Sequence, residues 1–369
     1  MRVTVSVNRI WLLVFIILLI KIVFYTYFQW FVSGTIFGSG NDAEYYHSYA
    51  LGFGNVAVNY WPIMLRSLNE MGLYNRSIIS FISFVTSITL LPFIYYKMVK
   101  IQADEMQPVK AGSYFLIIFY PTLFYVTGDV YRDVLMFVIL ILCLLLYKKI
   151  LEINLLKGYV YFLIYFGLAY FLYMLRPYLG FALGLTPFVY LIFLKTKRLV
   201  KTWIIVYFVT LILLKTFGGI DEILDYREAF ARFDTVAEGG TTMGVGLLNK
   251  GPIMFVFYYI YTILAQLFGL FLVNISAFSA FFLESVPFTL ACIYLYKNTK
   301  FMSKFSIFLI TFFVIYSTIW LLGNDNLGTA VRLRIPSYLA IFASMFITYQ
   351  TKVVVSYEKI KEGSFKHDK

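Results

Sequence analysis

The chain has 369 residues, a formal net charge of +12, and a composition that is 61% hydrophobic and only 14% charged. Soluble domains carry about 25% charged residues, so this composition excludes ordinary soluble, disordered and small secreted proteins. Apolar runs of roughly 16–24 residues recur, the length needed to cross about 30 Å of hydrocarbon. The sequence therefore predicts an all-α, polytopic transmembrane bundle that forms a single membrane domain over residues 1–369.

The N-terminal run follows Arg2 and Arg9 and is too long for the apolar core of a signal peptide, so we interpret it as an uncleaved anchor. Apolar runs predict candidate spans near 10–32, 77–99, 112–127, 133–150, 157–175, 178–195, 202–217, 252–275, 276–296, 305–322 and 336–350.

The C-terminal tail decides how many of these runs cross the membrane. Basic residues that flank spans prefer the cytoplasm, and this tail is rich in lysine. An odd number of crossings from a cytoplasmic N-terminus would leave the tail outside. We therefore predict that 252–275 is re-entrant or interfacial, which gives about ten spans with both termini in the cytoplasm.

This topology leaves two long outer connections, 33–76 and 216–251. The first contains apolar residues at helical spacing, typical of an amphipathic helix on the membrane surface: Trp61, Met64, Leu65, Leu68 and Met71. The cations on the outer side are mostly arginine, which topology does not require. The outer face is therefore where we expect the functional site.

The segment from Gly40 to His47 follows the first span and carries two carboxylates, Asp42 and Glu44. A carboxylate at the membrane surface can act as a general base on the hydroxyl group of a lipid-linked substrate. The alternative is a solvated acidic loop.

A second outer turn contains Asp129, Arg132 and Asp133. Asp129 and Arg132 are three residues apart and could pair on one helical face, or one of the two aspartates could cap the next helix. Arg176 lies in the following outer turn. Its planar fork of donors suits phosphate oxygens, although an arginine there could also be a headgroup-level anchor.

Arg332 and Arg334 precede Pro336 at the start of the last predicted span. Residues before proline favour extended geometry, and an extended Arg-Leu-Arg segment would place both guanidinium groups on one side. A helix that starts at Pro336 would add an N-terminus that favours anions. The pattern predicts a pyrophosphate clamp.

Glu284 lies in the middle of an apolar run, where a buried carboxylate is costly unless it is paired or faces water. It is a candidate catalytic group or a structural partner for an outer arginine. No nucleotide, flavin or nicotinamide motif and no metal-type His/Cys spacing is present. We therefore expect no cofactor, no metal and no nucleic-acid partner.

Taken in order, the outer segments resemble a known pattern. Gly40-x-Asp42-x-x-x-Tyr46 resembles the first-loop acidic motif of GT-C-type glycosyltransferases, which use polyprenyl-linked sugars. The remaining motifs are similar to multispan proteins of bacterial surface-polysaccharide synthesis: Tyr120-Pro121 with Gly128-Asp129-x-x-Arg132-Asp133, Leu283-Glu284-Ser285, and Gly328-Thr329-Ala330-x-Arg332-x-Arg334.

The resemblance implies an O-antigen or capsule repeat-unit polymerase (the Wzy type) in the bacterial inner membrane, acting on oligosaccharides linked to undecaprenyl pyrophosphate. Asp42 would be the base, with Glu284 as a second catalytic candidate. The pyrophosphate-binding residues would be Arg132, Arg176, Arg332, Arg334 and Asp129. Membrane lipid and a chain-length regulator protein are further expected partners. Two alternatives remain, a GT-C enzyme that moves one sugar from a polyprenyl phosphate and a flippase for lipid-linked oligosaccharides.

Overall fold

Helices make up 82% of the computed structural model. The structure describes residues 2–31, 41–101, 106–153, 155–195, 200–231, 242–272 and 274–367, and no strand is found within these ranges. Gly40 of the first motif lies outside the described residues, as does 232–241 of the second outer connection. The expected all-helical class is confirmed.

The helices, in chain order, are α1 (Arg2–Phe31), α2 (Asn41–Ala50), α3 (Tyr60–Glu70), α4 (Arg76–Ile88), α5 (Leu90–Val99), α6 (Gln107–Phe119), α7 (Pro121–Tyr125), α8 (Asp133–Glu152), α9 (Leu155–Leu175), α10 (Pro177–Lys195), α11 (Val200–Thr216), α12 (Asp221–Ala231), α13 (Pro252–Thr262), α14 (Ile275–Ala280), α15 (Val286–Lys297), α16 (Lys304–Gly323) and α17 (Leu327–His367). One π-helical turn, Ile263–Leu267, follows α13, and another, Phe281–Ser285, joins α14 to α15.

Seven helical segments among the described residues are long and apolar enough to cross a membrane: Val7–Gln29, Arg76–Val99, Asp133–Glu152, Gly158–Leu175, Ile275–Lys297, Lys304–Gly323 and Leu327–Glu358. Three shorter apolar helices accompany them, Pro177–Ile192, Tyr207–Thr216 and Pro252–Leu267. The fold is that of a membrane protein. The count of about ten spans stays a prediction.

The apolar run at 112–127 predicts one uninterrupted span, and this prediction is wrong. Helix α6 ends at Phe119 and the short helix α7 starts at Pro121. Tyr120 between them has φ −54° and ψ 112°, because a residue that precedes proline is forced out of the helical region. The break leaves polar backbone groups inside the bundle, and these groups need partners.

The last helix also differs from the prediction. Helix α17 begins at Leu327, nine positions before Pro336, and holds this proline within the helix. Asn326 supports the early start, because its side-chain Oδ1 accepts a hydrogen bond from Thr329 N at 3.0 Å. Arg332 and Arg334 are therefore helical rather than extended, and two residues at this spacing point to different sides of a helix.

Helix α3 is amphipathic, but it does not use its apolar side on the membrane surface as predicted. Trp61 and Leu65 are buried against the bundle, and Trp61 Nε1 donates a hydrogen bond to Val130 O at 2.8 Å. The contact fastens α3 to the turn that precedes α8. The hairpin of α2 and α3 thus covers one end of the bundle.

The segment between α11 and α14 starts and ends at that same end of the bundle. On α12, Arg227 Nη1 donates to Leu321 O near the end of α16 at 2.9 Å. At the far end of the segment, Gln266 Nε2 donates to Asn324 O at 2.8 Å, and Asn324 Nδ2 donates back to Gln266 Oε1 at 2.7 Å. Both contacts lie beside the connection between α16 and α17.

The turn after α13 brings the two π-helical turns together around Tyr338 of α17. The Tyr338 hydroxyl donates to Leu267 O at 2.6 Å and lies 3.0 Å from Ser285 Oγ. Gly269 forms this turn with a φ of +67°, a conformation that glycine adopts without strain. A Cβ atom at this position would lie 2.5 Å from Ser285 Oγ and 3.0 Å from Arg334 Nη1.

We therefore expect Gly269→Ala to lower the unfolding temperature clearly in detergent. Positive φ alone costs a non-glycine residue about 1–2 kcal/mol, and here the clash with buried groups adds to it. Gly72→Ala is the matched control, because Gly72 has a similar φ of +72° and a Cβ added there would meet no atom within 4 Å. Equal losses of thermal stability in the two variants would contradict the role of the close approach.

Candidate functional site

Arg332 on α17 is the centre of a group of charged residues at the end of the bundle covered by α2. Its Nη1 donates to Asp42 Oδ2 and its Nη2 donates to Asp133 Oδ2, both at 2.6 Å. The two carboxylates come from α2 and from the first residue of α8. The structure thus joins residues that are 199 and 290 positions away from Arg332 in the sequence.

Arg176 approaches the same buried carboxylate from the turn between α9 and α10. Its Nη1 lies 3.6 Å from Asp133 Oδ1, and the Arg176 side chain is buried. The Nε and Nη1 atoms of Arg176 have no hydrogen-bond partner among the described residues. Asp133 therefore anchors two guanidinium groups but fully satisfies the donors of neither.

Arg132 is the third guanidinium group of this site. It is half-buried, and no hydrogen bond or close ion pair joins it to any described residue. Its guanidinium carbon lies 6.0 Å from the centre of the Tyr46 ring. Burial lowers the pKa of Arg132, and the neighbouring positive charge of Arg176 lowers it further. Three guanidinium groups thus face two carboxylates, which leaves an excess of positive charge.

Asp42 is the exposed carboxylate of this group. Its side chain is 53% exposed, whereas that of Asp133 is 0% exposed. Arg332 holds Oδ2 of Asp42, and Oδ1 has no hydrogen bond to a described residue. Asp42 is therefore the carboxylate of the site that a ligand can reach from solvent.

Asp129 does not join this group and does not pair with Arg132 as the spacing suggested. It accepts two hydrogen bonds from Arg76, at 2.8 Å from Nε and 2.7 Å from Nη2, and Arg76 also pairs with Glu44 at 3.0 Å. Sequence reasoning missed Arg76. The argument applied to Arg132, that topology requires no arginine on the outer side, would have identified it.

Arg334 and Glu284 form a separate buried pair, so the predicted clamp of Arg332 with Arg334 is not formed. Arg334 Nη2 donates to Glu284 Oε2 at 2.9 Å. The other oxygen of Glu284 accepts from Thr122 N at 2.9 Å and from Thr122 Oγ1 at 2.6 Å. Thr122 lies just after the break between α6 and α7. The pair therefore supplies the partner that this broken helix needs.

No protein-family model, curated protein or solved structure matches this chain. The geometry of the site itself therefore indicates what it can bind.

A further ion pair lies beside the site and was also missed. Buried Arg227 on α12 pairs with Asp325, which precedes α17. Oδ2 of Asp325 accepts from Gly244 N at 2.9 Å, and the carbonyl oxygen of Asp325 accepts from Met243 N at 3.0 Å. These contacts fasten residues near 242–248 to the start of the helix that carries Arg332. A buried arginine far from its partner in sequence gives no local signal of the pair.

The arrangement is suited to an anion with several oxygens. Guanidinium groups bind phosphate oxygens through paired donors, and the first turn of α8, where Arg132 is the N-cap residue, has no side-chain cap. Within the described part of the chain, no group of three or more His, Cys, Asp or Glu residues could hold a metal ion. The guanidinium groups that would attract an anionic ligand to this site are those of Arg132, Arg176 and Arg332.

Proposed function

We propose that this chain is a membrane glycosyltransferase that joins lipid-pyrophosphate-linked oligosaccharide repeat units into a surface polysaccharide. The observation that carries the proposal is Arg132, a half-buried guanidinium group without a partner among the described residues, beside two others that share one buried carboxylate. Leaving such a group unpaired is costly unless a ligand anion completes it. A pyrophosphate at the membrane surface has the required charge and oxygen atoms.

In the proposed reaction, the hydroxyl group of an acceptor repeat unit attacks the anomeric carbon of the donor glycan. The bond from that carbon to the pyrophosphate oxygen breaks, and the lipid pyrophosphate leaves with the bonding electron pair. Asp42 takes the hydroxyl proton, and Arg132, Arg176 and Arg332 stabilise the charge that develops on the leaving group. Glu284, whose two oxygens are already bonded, holds Thr122 and Arg334 in place.

The test is the length distribution of surface polysaccharide in a strain that lacks this gene. We expect the ladder of polymer lengths to collapse to a single repeat unit. A ladder that persists with one sugar missing from each repeat would favour a GT-C-type transferase of single sugars instead. An unchanged polysaccharide with repeat units retained on the inner leaflet would favour a flippase.

The proposed topology has about ten spans, with both termini in the cytoplasm and 252–275 on the outer side. It is supported by the contacts of Arg227 and Gln266, which bring both ends of the 217–274 segment to the junction of α16 and α17. With this segment kept on one side, all of the lysine-rich connections fall on the opposite side.

A single cysteine introduced at position 299 tests this topology. Thr299 is exposed in the connection between α15 and α16, and the only two cysteines, Cys143 and Cys292, are replaced with alanine beforehand. We expect Thr299→Cys to resist a membrane-impermeant maleimide in spheroplasts and to react after lysis. Met71 is also exposed, and the proposed topology places it on the outer side. Met71→Cys should therefore react both in intact spheroplasts and after lysis. Labelling of Thr299→Cys in intact spheroplasts would overturn the ten-span arrangement.

A further inference from the structure

Arg332 is held by two carboxylates whose environments differ sharply. Asp133 has a fully buried side chain and also faces Arg176, whereas the side chain of Asp42 is 53% exposed. Arg332 itself is only 11% exposed. One guanidinium group thus has a fixed partner on the protein side and an accessible partner on the solvent side.

A competing anion can take the place of Asp42 in its pair with Arg332, because Asp42 is the accessible carboxylate. An ion pair that involves an exposed carboxylate contributes little to stability, because water and salt screen it. Displacement of Asp42 would leave Arg332 paired with Asp133, so no buried charge is stranded. Displacement of Asp133 would leave Arg176 without its carboxylate and the buried Asp133 without a partner, which is far more costly.

Arg132 differs from Arg332 because it has no internal carboxylate to displace. Arg132 is half-buried as a residue, its Nε is buried without a hydrogen-bond partner, and it makes no ion pair with a described residue. The site therefore offers one open cationic position at Arg132 and one occupied position at Arg332.

We propose that these are two phosphoryl subsites and that Asp42 fills the second one until a diphosphate arrives. The first phosphoryl group binds at Arg132, and the second takes the place of the Asp42 carboxylate on Arg332. This inference rests on the proposed function. It deepens it by assigning each of the two phosphoryl groups to its own subsite, whereas a monophosphate uses the Arg132 subsite alone.

The exchange also orders the reaction. While Asp42 is bonded to Arg332, its Oδ2 atom is held by the guanidinium group and the carboxylate stays on Arg332. Binding of the donor diphosphate releases Asp42 at the moment when an acceptor hydroxyl group must be deprotonated. The carboxylate is thus free to move to the acceptor hydroxyl group only when a donor is in place, which limits hydrolysis of the donor glycan.

The test compares ligand affinities of purified full-length protein in nanodiscs, measured by calorimetry. The probes are farnesyl diphosphate, farnesyl monophosphate and inorganic pyrophosphate. We expect Asp42→Asn, with Asp42→Ala as a second variant, to bind both diphosphates roughly fivefold more tightly than wild type, as loss of one exposed ion pair predicts. The affinity for the monophosphate should change by less than about twofold, because Arg332 is not part of that subsite.

Glu44→Gln is the matched control. Glu44 lies on the same helix as Asp42, is also 53% exposed, and pairs with an arginine outside the site. We expect its diphosphate affinity to equal that of wild type. If the Asp42 variants bind diphosphate no more tightly than wild type, or gain equally for monophosphate, the exchange is refuted while the anion site stands. If wild type and the Asp42 variants bind none of the probes, the exchange and the anion site of the proposed function both fail.

Discussion

Replacement of Arg132 with alanine should reduce repeat-unit transfer about a hundredfold, the loss found when one donor to a developing oxyanion is removed. The unfolding temperature should not fall, because Arg132 makes no hydrogen bond or ion pair with a described residue that the substitution could break. Transfer is measured with purified protein and lipid-linked repeat units, and stability by thermal unfolding in the same detergent.

Arg66→Ala provides the comparison. Arg66 lies on α3, pairs with Glu70 one helical turn away and is outside the site. Transfer by this variant should equal that of wild type. If Arg132→Ala transferred as fast as Arg66→Ala, the assignment of Arg132 to the leaving pyrophosphate would be lost.

Replacement of Glu284 with leucine should destabilise the fold by about 3–5 kcal/mol, the usual cost of breaking one side of a buried ion pair. The substitution leaves Arg334 buried without its carboxylate and removes the acceptor for Thr122 N at the break between α6 and α7. Arg334→Met should have a similar cost. Thermal unfolding of the purified variants measures both effects.

The double variant Glu284→Leu/Arg334→Met separates structure from catalysis. Because replacing both members of a buried pair with apolar residues is often nearly neutral, we expect it to be more stable than either single variant. If Glu284 only positions its neighbours, the stable double variant should retain most of its transfer activity. A well-folded double variant without activity would indicate that Glu284 takes part in catalysis.

The helical class and most helix positions follow from the sequence, because apolar runs of membrane length have few other solutions. The break at Tyr120-Pro121 could have been predicted too, since proline limits the residue before it. The start of α17 at Leu327 could not be predicted from local preferences. Pro336 indicates a helix start by local preference, but the cap at Asn326 and the packing of α17 against α16 outweigh that preference.

Only some of the residues of the site could be predicted from the sequence. Arginines on the predicted outer side were selected because topology does not need them, and the structure places three of them, Arg132, Arg176 and Arg332, near one another. The sequence did not predict that Arg334 and Arg332 point to different sides. They do so because α17 already includes both residues, whereas the sequence predicted that the helix begins at Pro336. Arg76 and Arg227 were not selected, although the same reasoning applies to them, and their partners Asp129 and Asp325, 53 and 98 positions away, gave no local signal.

Two backbone amides that bond to Asp325 can report when the segment near residues 242–248 separates from the rest of the protein. The amide groups of Met243 and Gly244 both donate to this one residue, so neither can exchange its hydrogen for deuterium while the segment is docked. Their exchange rates therefore measure the free energy of local opening, independently of global unfolding. Because Asp325 lies two residues before the start of α17, ligands that bind at Arg332 can be ranked by how much they slow exchange at these two amides.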